Sequence, residues 1–241
     1  MSYSDRHLFF DLDRTLWDFE KNSQIALKKI FELYKLDEFI PNFYKFYYTY
    51  KNINAELWVK YGAGKISKEE LRNARFYRTL KKFKKDDKVL SDKIGTAYIE
   101  ISPTQKNLFP NTIEVLTELK KEGYRLHIIT NGFKEVQYIK LTNCGLIDLF
   151  EVIVCSEEVG KNKPNPEVFN YAMQLANADS SKSVMIGDDL KVDILGASNV
   201  GMQTILFDPD KKYRKAKGDY VIKNLNEIPS ILPWIFRSSS F

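Results

Sequence analysis

From residue 101 onward, strand patterns alternate with helix patterns along the chain. Apolar and β-branched runs predict strands at 125–130, 150–155, 183–186, 203–207 and 220–222. Apolar residues at helical spacing predict helices at 112–119, 166–177, 192–200 and 225–232. Gly123 and Gly201 follow two of these helical runs, where glycine commonly ends a helix. The alternation predicts βαβ units, and therefore an α/β fold in which helices cover both faces of a parallel sheet.

The segment 17–100 has a different pattern, with helical spacing throughout and no convincing strand. The predicted helices cover 22–34, 41–61, 89–101 and a stretch that begins at residue 67. Ser67 and Glu70 have the spacing of a capping box, which marks a helix start. The chain has a net charge of +5, and its excess of Lys and Arg lies in this segment. We therefore predict a core domain made of 1–16 and 101–241, with an all-helical domain inserted at 17–100.

Composition excludes several classes of protein. The 241 residues are 44% hydrophobic and 29% charged, which suits one large domain or a core with a smaller insertion. No segment approaches the roughly 20 apolar residues that span a bilayer, and the N-terminus carries no signal-peptide pattern. Cys144 and Cys155 have neither metal-site spacing nor a disulfide framework. We expect a cytoplasmic protein with free thiols and no membrane partner.

Two carboxylates mark the end of the first predicted strand. The apolar run Leu8–Phe10 is followed by Asp11 and Asp13. Side chains two residues apart on an extended chain point to the same side, so both carboxylates face one place at the rim of the sheet. Open α/β sheets bind ligands at this carboxyl edge, and carboxylates held close together repel unless a cation or a proton lies between them. The pair therefore predicts a metal site, a shared proton, or both.

Polar groups also follow three other predicted strands. They are Thr130-Asn131-Gly132, Lys163, and the group of Asp188, Asp189 and Asp193. Taken singly, these are a turn, a surface lysine and a helix N-cap. Gathered at one edge of a parallel sheet, they supply a nucleophilic carboxylate, a proton-transferring acid, oxygen ligands for a hard cation and a lysine that offsets phosphate charge. This inventory is typical of a phosphoryl-transfer site.

Four short segments, in this order, resemble the motifs of the haloacid dehalogenase-like (HAD) hydrolase superfamily. They are DLDRT at 11–15, TNG at 130–132, KP at 163–164 and GDDLKVD at 187–193. The resemblance implies a Rossmann-like three-layer α/β/α core with a mostly parallel sheet. The segment 17–100 resembles the helical C1 cap of the same superfamily. Asp13 argues against the true haloacid dehalogenases, which resemble this chain but lack that acid.

The resemblance also implies roles for the acids and the lysine. Asp11 would be the nucleophile and a ligand of Mg²⁺. Asp13 would be the general acid and base, and its backbone carbonyl would ligate the metal. Lys163 would bridge the nucleophile and the phosphate. Asp188 would be the third protein ligand of the metal, with the adjacent Asp189 as the alternative.

Residues around this centre receive roles from the same resemblance. Thr130, Asn131 and Gly132 would bind the phosphate through the threonine hydroxyl and backbone N–H groups. Asp193 would orient the lysine or a water on the metal. Thr15, like Asp189 and Asp193, would lie just behind the reacting groups.

A finer resemblance concerns the segments 16–22 (LWDFEKN) and 156–160 (SEEVG), which are similar to a subfamily of pyrimidine-nucleotide 5′-phosphatases described as house-cleaning nucleotidases. Trp17 and Phe19 lie next to the predicted site in sequence, where they could stack on a base. Packing between the two domains is the alternative for both side chains. The sequence leaves this choice open.

We therefore expect a Mg²⁺-dependent phosphomonoester hydrolase that forms an aspartyl phosphate, with nucleoside 5′-monophosphates, preferably pyrimidine, as substrates. The alternatives are phosphoglycolate or a sugar phosphate as substrate, a phosphomutase, and, more remotely, a non-catalytic binding protein on this fold. The partner is a small phosphate ester, and the oligomer a monomer or weak homodimer. The short basic runs do not form a face that follows a nucleic-acid backbone, so no nucleic acid is expected.

Overall fold

The computed structural model describes residues 5–213 and 220–238. The chain divides into two compact units. The core unit consists of Met1–Phe19 and Lys106–Phe241, and the helical unit is Glu20–Gln105. Each unit has its own buried core.

The helical unit is built from four helices and contains no strand among its residues. They are α1 (Phe19–Leu33, whose first residue belongs to the core unit), α2 (Phe43–Gly62), α3 (Lys68–Lys82) and α4 (Lys88–Ile101). The predicted capping box is confirmed, because Ser67 Oγ accepts from Glu70 N–H at 3.1 Å and Glu70 Oε2 accepts from Ser67 N–H at 2.7 Å. The aromatic run that opens α2 packs in the core of this unit through Phe43, Phe46 and Tyr50.

The core unit contains a six-stranded sheet in the order β3-β2-β1-β4-β5-β6. The strands are β1 (His7–Phe10), β2 (Arg125–Thr130), β3 (Val152–Cys155), β4 (Ser183–Gly187), β5 (Gln203–Phe207) and β6 (Tyr220–Ile222). Every neighbouring pair is parallel. The order reverses at β1, which lies between β2 and β4. The predicted α/β class with a parallel sheet is therefore confirmed, and the reversal marks the place where such sheets bind ligands.

Helices cover both faces of the sheet, as the alternation of side chains along β1 shows. Leu8 and Phe10 pack in one core cluster and Phe9 in another. The first cluster receives α5 (Thr112–Lys121), α6 (Lys134–Asn143) and α9 (Ile228–Ser238); the second receives α7 (Pro166–Ala176) and α8 (Leu195–Ser198). The side chains of Leu8, Phe9 and Phe10 are fully buried, and burying each one stabilises the fold by about 1.5–3 kcal/mol.

The predicted helix at 192–200 differs from the structure. The chain after β4 forms a π-helical turn at Leu190–Ile194, and only then the short α8. Hydrophobic spacing does not distinguish a π turn from an α turn over so few residues. Such turns occur frequently at functional sites, because they redirect a side chain without ending the helix.

The two cysteines are free thiols, as expected. Cys155 is fully buried, and burial raises the pKa of its thiol to about 12, which makes it unreactive. Among the described residues, no helix combines the length and the apolar character that crossing a membrane requires.

Candidate active site

Polar side chains from four parts of the chain meet at the carboxyl edge of the sheet. Asp11 follows β1, Thr130 is the last residue of β2, and Asp188 follows β4. Asp11 N–H donates to Ile186 O at 2.9 Å and so continues the β1–β4 pairing past the end of the strand. Lys163 arrives from the loop between β3 and α7. The parallel sheet thus brings together residues that are more than 170 positions apart, as the sequence predicts.

Lys163 is the centre of this arrangement. Its Nζ donates to Asp11 Oδ1 at 2.8 Å, to Asp193 Oδ1 at 2.7 Å and to Ile129 O at 2.7 Å. These three acceptors use all three protons of the ammonium group. The lysine is buried, and burial alone lowers its pKa, but the charges of Asp11 and Asp193 outweigh burial and hold the pKa above its ordinary value. Lys163 therefore stays charged.

Three carboxylates form an acidic cluster here, and two of them, Asp11 and Asp193, contact the Lys163 ammonium group. One oxygen each from Asp11, Asp188 and Asp193 lies within 4.8 Å of the others. Burial raises the pKa of Asp11 to about 7, against the attraction of Lys163 and with the help of Asp193. Burial and then the charges of Asp193 and Asp11 raise the pKa of Asp188 to about 8. The centre thus holds more negative charge than Lys163 balances, and its oxygen ligands suit a hard divalent cation such as Mg²⁺.

The structure separates the roles of the two neighbouring acids after β4. Asp189 Oδ1 accepts from Lys191 N–H at 2.9 Å and from Val192 N–H at 2.8 Å, so its carboxylate caps the π-helical turn. Asp188 belongs to the acidic cluster, and within the described chain no group donates a hydrogen bond to its carboxylate. Of the two alternatives, Asp188 is the residue whose position suits a metal ligand.

Asp193 reaches the centre because the π-helical turn brings it back over the end of β4. Its Oδ1 accepts from Lys163, and its Oδ2 accepts from Asp189 N–H at 3.1 Å. A Cβ added at Gly187 would overlap the Asp193 side chain, so only glycine allows this approach. With both oxygens engaged and the residue fully buried, Asp193 holds the lysine in place.

The turn after β2 joins the phosphate-binding candidates to the lysine loop. Asn131 Oδ1 accepts from Lys163 N–H at 2.8 Å, and Asn131 Nδ2 donates to Lys163 O at 3.1 Å. The asparagine side chain therefore fixes the backbone of Lys163. Thr130 Oγ1 accepts from Gly132 N–H at 3.1 Å. A Cβ added at Gly132 would overlap the side chain of Gln137, which explains the glycine.

The Asp13 side chain lies outside the acidic cluster. Its carboxylate accepts from Lys140 Nζ at 2.6 and 2.9 Å and from Gln137 Nε2 at 2.9 Å. Thr15, which is fully buried, donates to Asp11 Oδ2 over a long 3.4 Å. The two acids that the sequence places side by side are thus held by different cations, Asp11 by Lys163 and Asp13 by Lys140.

Sequence reasoning missed Gln137 and Lys140, which lie on α6 and contact the predicted acid. Both are buried, although polar residues at helical spacing usually face solvent. Their only signal is a separation of three residues, which puts them on one face of the helix that follows Thr130-Asn131-Gly132. This spacing is too common to identify a site.

Trp17 and Phe19 occupy different environments. Trp17 is 0% exposed and packs in the core cluster, with Lys140 Nζ 4.3 Å from the centre of its ring. The ring offers no face to a base, because it packs within the core unit's own cluster. Phe19 is half-buried, meets Trp17 edge-on at 6.2 Å, and carries the Arg14 guanidinium 4.2 Å above its ring. Arg14 therefore already covers one face of Phe19.

One relative of this chain is similar to it both in sequence and in a solved structure. The HAD-hydrolase YfnB of Bacillus subtilis is 32% identical over 94% of this chain and 95% of its own length. Its crystal structure, described as bound to magnesium, has a TM-score of 0.85 at 31% identity and covers 95% of this chain and 98% of that one. The match supports the fold of the core unit and the fold of the helical unit, each considered separately.

Two further relatives carry names that state a substrate. The pyrimidine 5′-nucleotidase YjjG of Escherichia coli is 34% identical over 82% of this chain and 83% of its own. A glyceraldehyde 3-phosphate phosphatase of Methanothermobacter thermautotrophicus is 32% identical over 90% of this chain and 91% of its own. The family model for haloacid dehalogenase-like hydrolases matches residues 8–207, which include all four motifs. The chain therefore belongs to the haloacid dehalogenase-like hydrolase family.

Proposed function

We propose that this chain is a Mg²⁺-dependent phosphomonoesterase in which Asp11 attacks the phosphorus of a small phosphate ester. The observation that carries the proposal is the buried Lys163 ammonium, 2.8 Å from Asp11 Oδ1 and 2.7 Å from Asp193 Oδ1. A charged lysine beside a carboxylate keeps that carboxylate available as a nucleophile and offers positive charge where the phosphoryl group carries negative charge.

Mg²⁺ fits the residues of this centre. The carboxylates of Asp11 and Asp188 would hold it, together with the backbone carbonyl of Asp13. The support is the acidic cluster, in which one oxygen each of Asp11, Asp188 and Asp193 lies within 4.8 Å of the others. Burial, with the charges of neighbouring carboxylates, raises the pKa values of Asp11 and Asp188. When bound, the ion offsets the charge of the phosphate and of both carboxylates.

The chain's own residues account for two half-reactions. In the first, an Asp11 oxygen forms a bond to phosphorus, the bond from phosphorus to the ester oxygen breaks, and Asp13, in its protonated form, gives its proton to the leaving alcohol. In the second, water loses a proton to Asp13 and attacks the same phosphorus, and the bond between Asp11 and phosphorus breaks. Inorganic phosphate leaves, and both aspartates return to their starting states.

Substrate identity is the finer part of the proposal. We propose nucleoside 5′-monophosphates, preferably pyrimidine, because the relative YjjG is named for that activity and the 16–22 segment resembles that of such enzymes. Triose or other sugar phosphates form the second candidate, because the relative from Methanothermobacter is named for glyceraldehyde 3-phosphate. The buried Trp17 ring makes no contribution to base recognition in this proposal.

The test measures phosphate release from a panel of pyrimidine and purine 5′-monophosphates, triose and sugar phosphates, and phosphoglycolate, with Mg²⁺ and with EDTA. Asp11→Asn removes the nucleophile and should abolish release. Asp92→Asn, in an exposed carboxylate of the helical unit, serves as the matched control and should keep full activity. Release that survives in Asp11→Asn, or that EDTA leaves untouched, would contradict the proposal.

A further inference from the structure

Helix α6 buries two polar side chains that the reaction above does not use. Gln137 is 0% exposed and Lys140 is 4% exposed. They are three residues apart, and both reach Asp13. Burying an amide and an ammonium group is costly unless each finds partners, so their contacts indicate what they are for.

The Gln137 amide joins two parts of the site. Its Nε2 donates to Asp13 Oδ2 at 2.9 Å and to Thr130 Oγ1 at 2.7 Å. The orientation of the amide follows from chemistry, because a carboxylate only accepts hydrogen bonds and would repel the amide oxygen. Both N–H groups of Gln137 are therefore committed, one to the acid and one to the threonine.

The Thr130 hydroxyl still has its proton available as a hydrogen-bond donor. A hydroxyl has two lone pairs and one proton. Gly132 N–H and Gln137 Nε2 use the two lone pairs. Nothing in the described part of the chain accepts the remaining proton. The hydroxyl can therefore act only as a donor, and a phosphate oxygen, which only accepts, is a matching group.

Lys140 fixes the other oxygen of Asp13. Its Nζ lies 2.6 Å from Asp13 Oδ1 and 2.9 Å from Oδ2, and the Trp17 ring lies 4.3 Å from the same ammonium group. The ring packs against the ammonium and restricts its movement. With Gln137 on Oδ2, the Asp13 carboxylate is held on both oxygens by one face of α6.

We propose that Gln137 and Lys140 are positioning residues for the reaction. Gln137 turns the Thr130 hydroxyl into an obligatory donor to the phosphate and aligns Asp13, whereas Lys140 aligns Asp13 alone. This inference rests on the proposed phosphatase function. It predicts that the two residues affect different steps: Gln137 acts on phosphate binding and on turnover, and Lys140 acts on turnover.

The experiment compares full-length variants with Mg²⁺ and the best ester of the panel. Gln137→Met keeps the length of the side chain and removes both donors. We expect kcat to fall by about 10- to 100-fold, because Asp13 loses alignment. The inhibition constant for inorganic phosphate should rise by about three- to tenfold, the value of one hydrogen bond.

Lys140 gives the complementary result. Lys140→Met should lower kcat by about 10- to 100-fold while the inhibition constant for phosphate stays within about twofold of wild type. Lys140→Arg keeps the charge and should recover most of kcat. Lys134→Met is the matched control on the same helix, since Lys134 is exposed and its ammonium group pairs with Glu158, away from Asp13. It should behave as wild type.

A folded Gln137→Met whose kcat and phosphate inhibition both equal those of wild type would overturn the proposal. So would a Lys140→Arg no more active than Lys140→Met, since charge would then not matter. If Gln137→Met fails to fold, Gln137→Glu keeps the shape of the side chain and is expected to give the same two losses. If no ester is hydrolysed by wild type, the proposed function fails, and phosphate titration followed by ³¹P NMR still decides the role of Gln137.

Discussion

The two ends of β1 and β2 bury ionisable groups in opposite ways. At the carboxyl end, Asp11 sits among charged partners that leave negative charge in excess. Nearer the amino end, His7, the first residue of β1, and His127, inside β2, share one hydrogen bond of 3.0 Å between Nδ1 and Nε2, with the rings stacked at 5.2 Å. Burial lowers the pKa of both histidines, that of His127 to about 3, so this pair is neutral.

The difference separates a site for chemistry from a site for packing. One hydrogen bond joins two ring nitrogens of the neutral histidine pair. The pair carries no net charge that a cation would balance. The charged end holds raised carboxyl pKa values that the nearby cationic side chains offset only in part, so it gains from a bound cation. Groups destabilised in this way are typical of functional sites, where stability is lower than the fold could reach.

Removal of Lys163 should have the largest effect on the charged end. Lys163→Met leaves Asp11 and Asp193 buried without their cation, and losing one partner of a buried ion pair costs about 3–5 kcal/mol of folding free energy. Activity should fall by about 10³-fold, because the charge facing the phosphoryl group is lost. Urea unfolding and phosphate release with Mg²⁺ measure the two effects. Lys161→Met, an exposed neighbour, is the control. Activity within tenfold of wild type would remove Lys163 from the mechanism.

The next test separates metal ligation from helix capping. Asp188→Asn removes a carboxylate that accepts no hydrogen bond from any described residue. The substitution should weaken Mg²⁺ binding by at least about tenfold. Asp189→Ala removes the cap on Lys191 and Val192, and should cost about 1 kcal/mol of stability without changing Mg²⁺ affinity. Calorimetric titration with Mg²⁺ and urea unfolding give both numbers. If Asp189→Ala weakens Mg²⁺ binding more than Asp188→Asn does, the assignment is reversed.

Much of this site could be predicted because sheets follow simple rules. Side chains alternate along a strand, and parallel strands bring their carboxyl ends to one edge, so Asp11, Thr130, Lys163 and Asp188 could be assembled from strand patterns alone. The family resemblance added the roles, and the family itself is confirmed by the comparisons. These inferences depend on local pattern and on order along the chain.

The rest depends on contacts that a single sequence does not encode locally. Gln137 and Lys140 are ordinary polar residues on a helix until the fold buries them against Asp13. Asp188 and Asp189 are chemically identical, and only the turn that follows decides which one caps it. Trp17 is adjacent to the acids in sequence, yet the fold packs its ring into the core. Each outcome is set by tertiary packing, which overrides position in the sequence.

The raised carboxyl pKa values at the charged end predict that the stability of the protein depends on pH. The folded-state pKa values of Asp11 and Asp188, about 7 and 8, lie above the ordinary 3.8, so the folded protein holds more protons than the unfolded chain between these limits. Stability of the metal-free protein therefore falls as pH rises from about 4 to 8. Mg²⁺ at 100 times its Kd stabilises by about 2.7 kcal/mol. Mg²⁺ binds the ionised carboxylates. The gap between the melting temperature with Mg²⁺ and that with EDTA should therefore be larger at pH 8.5 than at pH 5.5. An equal gap at both pH values would contradict this.

The amino end should respond to pH with the opposite sign and a smaller effect. His7 and His127 have folded-state pKa values below the ordinary 6.5, so the unfolded chain binds more protons than the folded one under acid conditions. Their contribution to stability is complete above pH 6.5 and is lost as pH falls toward 3. His127→Gln removes one titrating group and keeps a side chain that can bond His7. Between pH 6.5 and 5.5 it should lose about 1 kcal/mol less stability than wild type does.

The measurement is urea unfolding of both proteins in EDTA at pH 5.5, 6.0, 6.5 and 7.5. The carboxylates of the charged end are the same in the two proteins, so their contribution cancels in the difference between them. What remains is the titration of His127. A difference that stays constant across this range would mean that His127 is not held neutral by the fold. The charged end and the histidine pair would then differ in their residues, but not in the direction in which burial acts on their charge.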